Sequence, residues 1–154
     1  MRARMALYSS GQTCVLREVL LRDKPLEMIE QSPKATVPVL LLANGEVLEQ
    51  SLDIMLWTLR RNDPKKWCEP DQGNLDDMLS LITECDGDFK KNLDRYKYAP
   101  RYEDTDPLAH RAAGEIFLGK LNDRLADQDY LFGSTSSLAD YAIAPFVRQF
   151  ANTD

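Results

Sequence analysis

Histidine and cysteine are scarce in this sequence: His110 stands alone, and Cys14, Cys68 and Cys85 are far apart and odd in number. No C-x-x-C pair occurs and no second imidazole is present, so no zinc spacing can be read and no metal is expected. Unpaired cysteines suit a reducing compartment. His110 follows Asp106-Pro107 at the start of a helical pattern and is expected to be a solvated first-turn side chain. No apolar run approaches the ~18 residues of a membrane span, and no charged-then-apolar segment with a cleavage site opens the chain, so a cytoplasmic protein that does not enter membranes is expected. Basic residues are outnumbered, 19 against 25, for a net charge of −6 and a pI near 4.9. That balance argues against a nucleic-acid footprint, leaving room only for a local basic patch. Also missing are G-x-G-x-x-G, the P-loop, G-x-S-x-G and H-E-x-x-H, so the commonest phosphate-binding, nucleophilic and metallohydrolase constellations are absent.

What is present is the composition of a soluble globular protein. The 154 residues are 44% hydrophobic and 29% charged, enough for one sizeable core or two small ones. Met1 to Tyr8 has a helix-forming composition that stops at Ser9-Ser10-Gly11, where glycine can cap a helix. Cys14 to Val19 alternates partly in the manner of a strand. Pro25 opens a short helix over 26–31, which Ser32-Pro33 ends. Val37 to Leu42 reads as a strand, Asn44-Gly45 as a hairpin turn and Glu46 to Leu48 as the returning strand. Ser51 is expected to cap a helix running on to Leu59. Helix, strand, helix, hairpin and helix make an α/β unit with a mixed sheet.

The composition changes at Asn62-Asp63-Pro64-Lys65-Lys66. Beyond it, apolar residues from Leu75 to Tyr96 recur at steps of three and four, predicting one long amphipathic helix, and Ala109 to Leu125 repeats the pattern. A third helix begins in S-S-L-A-D-Y-A-I, with Pro145 expected to bend it. Ser137 followed by Asp140 is a capping-box variant, so both are expected to be folding residues rather than catalysts. The expected organisation is an α/β domain over 1–61, a linker over 62–72 and an all-helical domain over 73–154.

Two features of the first part fit a binding site. Pro38 has no N–H for a ladder, and a cis Val37-Pro38 bond would leave the backbone of Val37 open to an added extended peptide. Gln50-Ser51 stands at a helix start, where free N–H groups and the positive dipole end hold a carboxylate. Together they describe a site for a small acidic peptide. On these residues alone, a trans edge strand and a plain helix cap remain open alternatives.

Four segments, in this order and spacing, resemble a glutathione S-transferase: M-R-A-R-M-A-L, S-P-K-A-T-V-P-V-L, N-G-E-V-L-E-Q-S-L-D-I and S-L-A-D-Y-A-I. The resemblance covers nearly the whole chain and is closer to bacterial members with a domain like that of glutaredoxin 2 and the omega class. It implies a thioredoxin-like α/β domain followed by an all-α helical bundle, working as a cytoplasmic homodimer. It also implies that glutathione is a co-substrate, held by Val37 beside a cis Pro38, by Gln50 and Ser51 at the γ-glutamyl end, and by Lys34 at the glycyl carboxylate. The reaction implied is conjugation to a small hydrophobic electrophile, or thiol–disulfide chemistry on a disulfide. In the relatives a first strand and a catalytic turn precede M-R-A-R, so the catalytic residue is expected upstream of Met1 and the chain is expected to be shortened there and at its far end. The alternative is a non-enzymatic regulatory protein of the same fold, like stringent starvation protein A.

Overall fold

Helix α1 (Arg2–Ser9) ends where the sequence supplies a residue for the left-handed region. Gly11 takes φ +65°, which lets its N–H reach the carbonyl of Tyr8 at 3.1 Å while the N–H of Gln12 reaches that of Leu7 at 3.0 Å. These two bonds satisfy the orphaned carbonyls of the last turn and turn the chain away. The structure, a computed structural model, describes residues 1–153 and divides into two units, Met1–Lys65 and Lys66–Asp154.

In the first unit α1 packs on α3 (Ser51–Arg61). Ala3 and Ala6 are buried on α1, and Ile54, Met55 and Leu59 on α3. The small alanines allow close approach, and apolar burial at about 25 cal/mol per Å² holds the pair together. The Asn62 side-chain amide donates to the Ser10 carbonyl at 3.0 Å, fastening the end of α3 to the end of α1.

The intervening chain differs from its expected form. Cys14 to Val19 is not a strand: its side chains are largely exposed, Val15 at 86%. A strand exists only through a ladder, and among the described residues no neighbour runs beside this one. Helix α2 (Leu26–Gln31) buries none of its residues. The hairpin is shorter than its apolar pattern suggests, with β1 (Leu40–Leu41) antiparallel to β2 (Val47–Leu48) in the register Leu40 to Leu48 and Leu41 to Val47. Pro38 cannot donate to a ladder, and pairing begins two residues later. Gly45 at φ +86° makes the turn, and the Asn44 side chain accepts from the Glu46 N–H at 3.1 Å.

In the second unit, Trp67 is buried and stacks on Tyr141 with centroids 3.6 Å apart, while its carbonyl accepts from the Leu138 N–H at 2.8 Å. Helix α4 (Leu75–Glu84) opens with reciprocal bonds between Asn74 and Asp77. The single long helix expected over 75–96 is broken. A π turn, Cys85–Phe89, separates α4 from α5 (Lys90–Lys97), with Gly87 at φ −85°, ψ −106°. The extra residue of a wide turn shifts the helical face, yet Cys85, Phe89 and Leu93 all stay buried. Helix α6 (Pro107–Arg124) starts from Asp106, whose carboxylate accepts from the Leu108 N–H at 2.9 Å. His110 is not simply solvated, because its Nδ1 lies 2.8 Å from Asn92 Oδ1 and ties α6 to α5. Helix α7 (Leu138–Ala151) runs through Pro145. Phe89 joins these helices, its ring 4.9 Å from Phe117 and 5.7 Å from Phe150. A Cβ at Gly114 would sit 2.7 Å from the Phe150 ring, so α6 needs glycine there to come this close.

Candidate functional site

The hairpin register brings the sequence-predicted site residues of the first unit to one end. Leu40 pairs with Leu48, so the chain entering β1 through Val37-Pro38 and the chain leaving β2 through Gln50-Ser51 lie at the same end of the ladder. The Val37–Pro38 peptide bond is cis, and Val37 is 48% exposed. Neither its N–H nor its carbonyl has a hydrogen-bond partner among the described residues. An exposed residue just before a strand, with both backbone groups free, offers a point at which an extended peptide can pair.

Gln50 is the N-cap residue of α3, with φ −108° and ψ 135°, and Ser51 is the first residue inside the helix rather than its cap. The Gln50 carbonyl already accepts from the Ile54 N–H at 3.0 Å. No side chain caps the helix, and the N–H groups of Ser51, Leu52 and Asp53 have no hydrogen-bond partner among the described residues. Three free donors at the positive end of a helix dipole are a seat for an anion. The Gln50 amide and Ser51 hydroxyl also have no hydrogen-bond partner among the described residues, and both residues belong to this helix start. Lys34 reaches the residue directly before Gln50: its Nζ is 3.9 Å from Glu49 Oε2.

One pair here was not visible in the sequence. Ser32 is fully buried, and its hydroxyl donates to Glu49 Oε1 at 2.5 Å. Glu49 thereby fastens the loop that carries Lys34 and Val37 to the end of β2. Ser32-Pro33 reads only as a helix stop, and the partner is 17 positions away, beyond any local pattern.

Ser137 and Asp140 lie in the second unit, and both serve the fold. One Asp140 oxygen accepts from the Ser137 N–H and hydroxyl, each at 2.8 Å, and the other from the Leu131 N–H at 2.9 Å. Asp71 performs a similar task without any motif to announce it. Its Oδ2 accepts from the N–H and hydroxyl of Ser134 at 2.9 and 2.8 Å, and from those of Thr135 at 3.0 and 3.1 Å. The Ser134 side-chain bond, then the Ser134 backbone bond and those from Thr135, hold its carboxyl below the usual carboxylate range. Gly133, at φ +130°, brings the backbone so near that a Cβ would lie 2.5 Å from that of Asp71.

Residues 1–67 match the family model for the glutathione S-transferase N-terminal domain, and residues 109–154 match that for the glutathione S-transferase C-terminal domain. The chain belongs to the glutathione S-transferase superfamily. Its fold is that of the superfamily, a small N-terminal sheet with helices followed by a helical domain. Among solved structures, BphK, a bacterial transferase solved as a ternary complex, has a TM-score of 0.83 at 19% identity, over 99% of this chain and 78% of that one. An epsilon-class transferase from the housefly Musca domestica has a TM-score of 0.80 at 19% identity, over 97% and 72%. A transferase from Methylobacterium radiotolerans, in complex with glutathione sulfonate, has a TM-score of 0.78 at 19% identity, over 99% and 74%. At such identities these likenesses speak for the fold. No curated protein sequence matches the chain. No helix of the described residues is long and apolar enough to cross a membrane, and they hold no group of three or more His, Cys, Asp or Glu side chains placed to hold a metal ion.

Proposed function

We propose that the protein binds glutathione through its first unit and uses it as a co-substrate in the cytoplasm. The observation that carries this reading is the pairing of the open Val37 backbone with the uncapped start of α3 at one end of the hairpin. Val37 would exchange backbone hydrogen bonds with the cysteinyl residue beside Pro38. The free N–H groups of α3, the Ser51 hydroxyl and the Gln50 amide would take the γ-glutamyl carboxylate and amine. Lys34, steadied by Glu49, would reach the glycyl carboxylate. Each ligand charge then meets groups that have no competing bond, apart from the long Lys34–Glu49 contact, which as an exposed pair is worth ~1 kcal/mol or less.

Bound in this way, the glutathione thiolate has two chemistries open to it. It can attack a small hydrophobic electrophile, forming a C–S bond as the leaving group departs with the bond's electron pair. It can instead attack a disulfide, forming a mixed disulfide and releasing a thiolate. The family's homodimer, with α3 and α4 at its interface, belongs to the same proposal.

Calorimetric titration with glutathione tests the site. The expected result is saturable binding that weakens by about tenfold or more in the Gln50→Ala, Ser51→Ala protein, as the loss of two polar contacts to charged ligand groups predicts. A folded variant that binds as well as its parent would remove these residues from the site. A folded parent that does not bind would remove glutathione.

A further inference from the structure

Residues 90–102 contradict the charge of the chain around them. Lys90, Lys91, Arg95, Lys97 and Arg101 stand against Asp94 alone, a net charge of +4 in a protein whose total is −6. In α5 and the 3₁₀ turn that follows it (Ala99–Arg101), none of these five cations has a carboxylate partner among the described residues. Three lie over tyrosine rings instead: Arg101 is 4.3 Å and Lys97 5.2 Å from the Tyr98 centroid, and Arg95 is 5.1 Å from that of Tyr102.

Like charges gathered without counter-charges repel one another, and the tyrosine faces offset part of that cost. They also orient the cations. A guanidinium resting on a ring keeps its N–H donors in its own plane, pointing outward, as a bidentate contact to a carboxylate needs.

We propose that this cation–tyrosine surface, at the end of α5 and the turn after it, docks a short acidic segment of a protein partner. The inference is independent of the glutathione reading, since it rests on residues of the second unit alone. Shortness follows from the neighbours. Glu103, Asp104 and Asp106 come directly after the patch, so a polyanion that continued past it would meet like charge. The acidic chain as a whole also repels long polyanions. These two facts favour a brief run of carboxylates over a nucleic acid.

Fluorescence anisotropy with labelled hexaglutamate tests the proposal, with a labelled thymidine hexanucleotide in parallel. The expected result is saturable hexaglutamate binding that weakens several-fold between ~50 and ~200 mM salt. It should fall by about tenfold or more in Arg95→Gln, Arg101→Gln and in the exposed pair Lys91→Gln, Lys97→Gln, because each change removes charge-assisted contacts. An Arg60→Gln, Lys65→Gln protein, altered in the first unit, should bind as the parent does. The proposal is overturned by absence of saturable binding, by an equal loss in the Arg60, Lys65 control, or by tighter binding of the oligonucleotide, which would assign the patch to nucleic acid.

Discussion

The two units of this chain are built with very different amounts of core. In the second, large side chains such as Met78, Ile82, Phe89, Leu93, Leu138 and Ile143 are buried from solvent, and the rings of Phe117 and Phe150 pack on that of Phe89. In the first, the buried apolar set is Ala3 and Ala6 on α1 and Ile54, Met55 and Leu59 on α3, while Val15, Leu16, Leu20, Leu21 and Leu26 are exposed. The helical unit is held by packing. The α/β unit is held by one helix pair, a two-residue ladder and a few side-chain clasps, and it carries the candidate site. Free backbone groups are what a peptide-binding edge requires, and a unit that satisfied all of them internally would offer none.

This contrast can be broken most forcefully at Phe89. Phe89→Ala removes the ring shared by α6 and α7 and should cost about 3–5 kcal/mol in chemical denaturation of the helical unit. A smaller loss, about 1–2 kcal/mol, is expected for Asp140→Ala, which frees the N–H groups of Ser137 and Leu131 at the entry to α7. Asp71→Ala should lower the melting temperature in a pH-dependent way. The folded protein holds the Asp71 carboxyl below its ordinary value of 3.8, so its contribution is fully present above that value and is lost as pH falls through the lower folded one. The melting difference between parent and Asp71→Ala should therefore be full at neutral pH and shrink below about pH 3.8. Smallest of all is Val15→Ser. At 86% exposure the side chain packs on little, and stability should change by no more than about 0.5 kcal/mol. A larger loss there would mean that Val15 packs into a core of the first unit.

Local chemistry was legible in the sequence wherever a residue type has one job. Asn44-Gly45 makes the hairpin turn, Gly11 the end of α1, and Ser137 with Asp140 the start of α7. Features that depend on a distant partner were not legible. Cys14 to Val19 alternates like a strand but has no neighbour to pair with among the described residues, and alternation cannot reveal that. The break at Gly87 was hidden because Cys85, Phe89 and Leu93 keep an unbroken four-residue step through the π turn. For the site, Pro38 and Gln50-Ser51 drew notice by residue type. That the Val37 N–H and carbonyl have no partner among the described residues, and that Glu49 clasps Ser32, are facts of the folded chain that no local pattern encodes. Asp71 was invisible for the same reason, its donors lying more than sixty positions away.

The most direct test of the central claim is a glutathione titration followed by amide resonances of the isotopically labelled protein. The largest shifts are expected on Val37 and on Ser51, Leu52 and Asp53, with those of the helical core around Phe89 unmoved. Saturable binding whose shifts avoid the hairpin end and the start of α3 would contradict it.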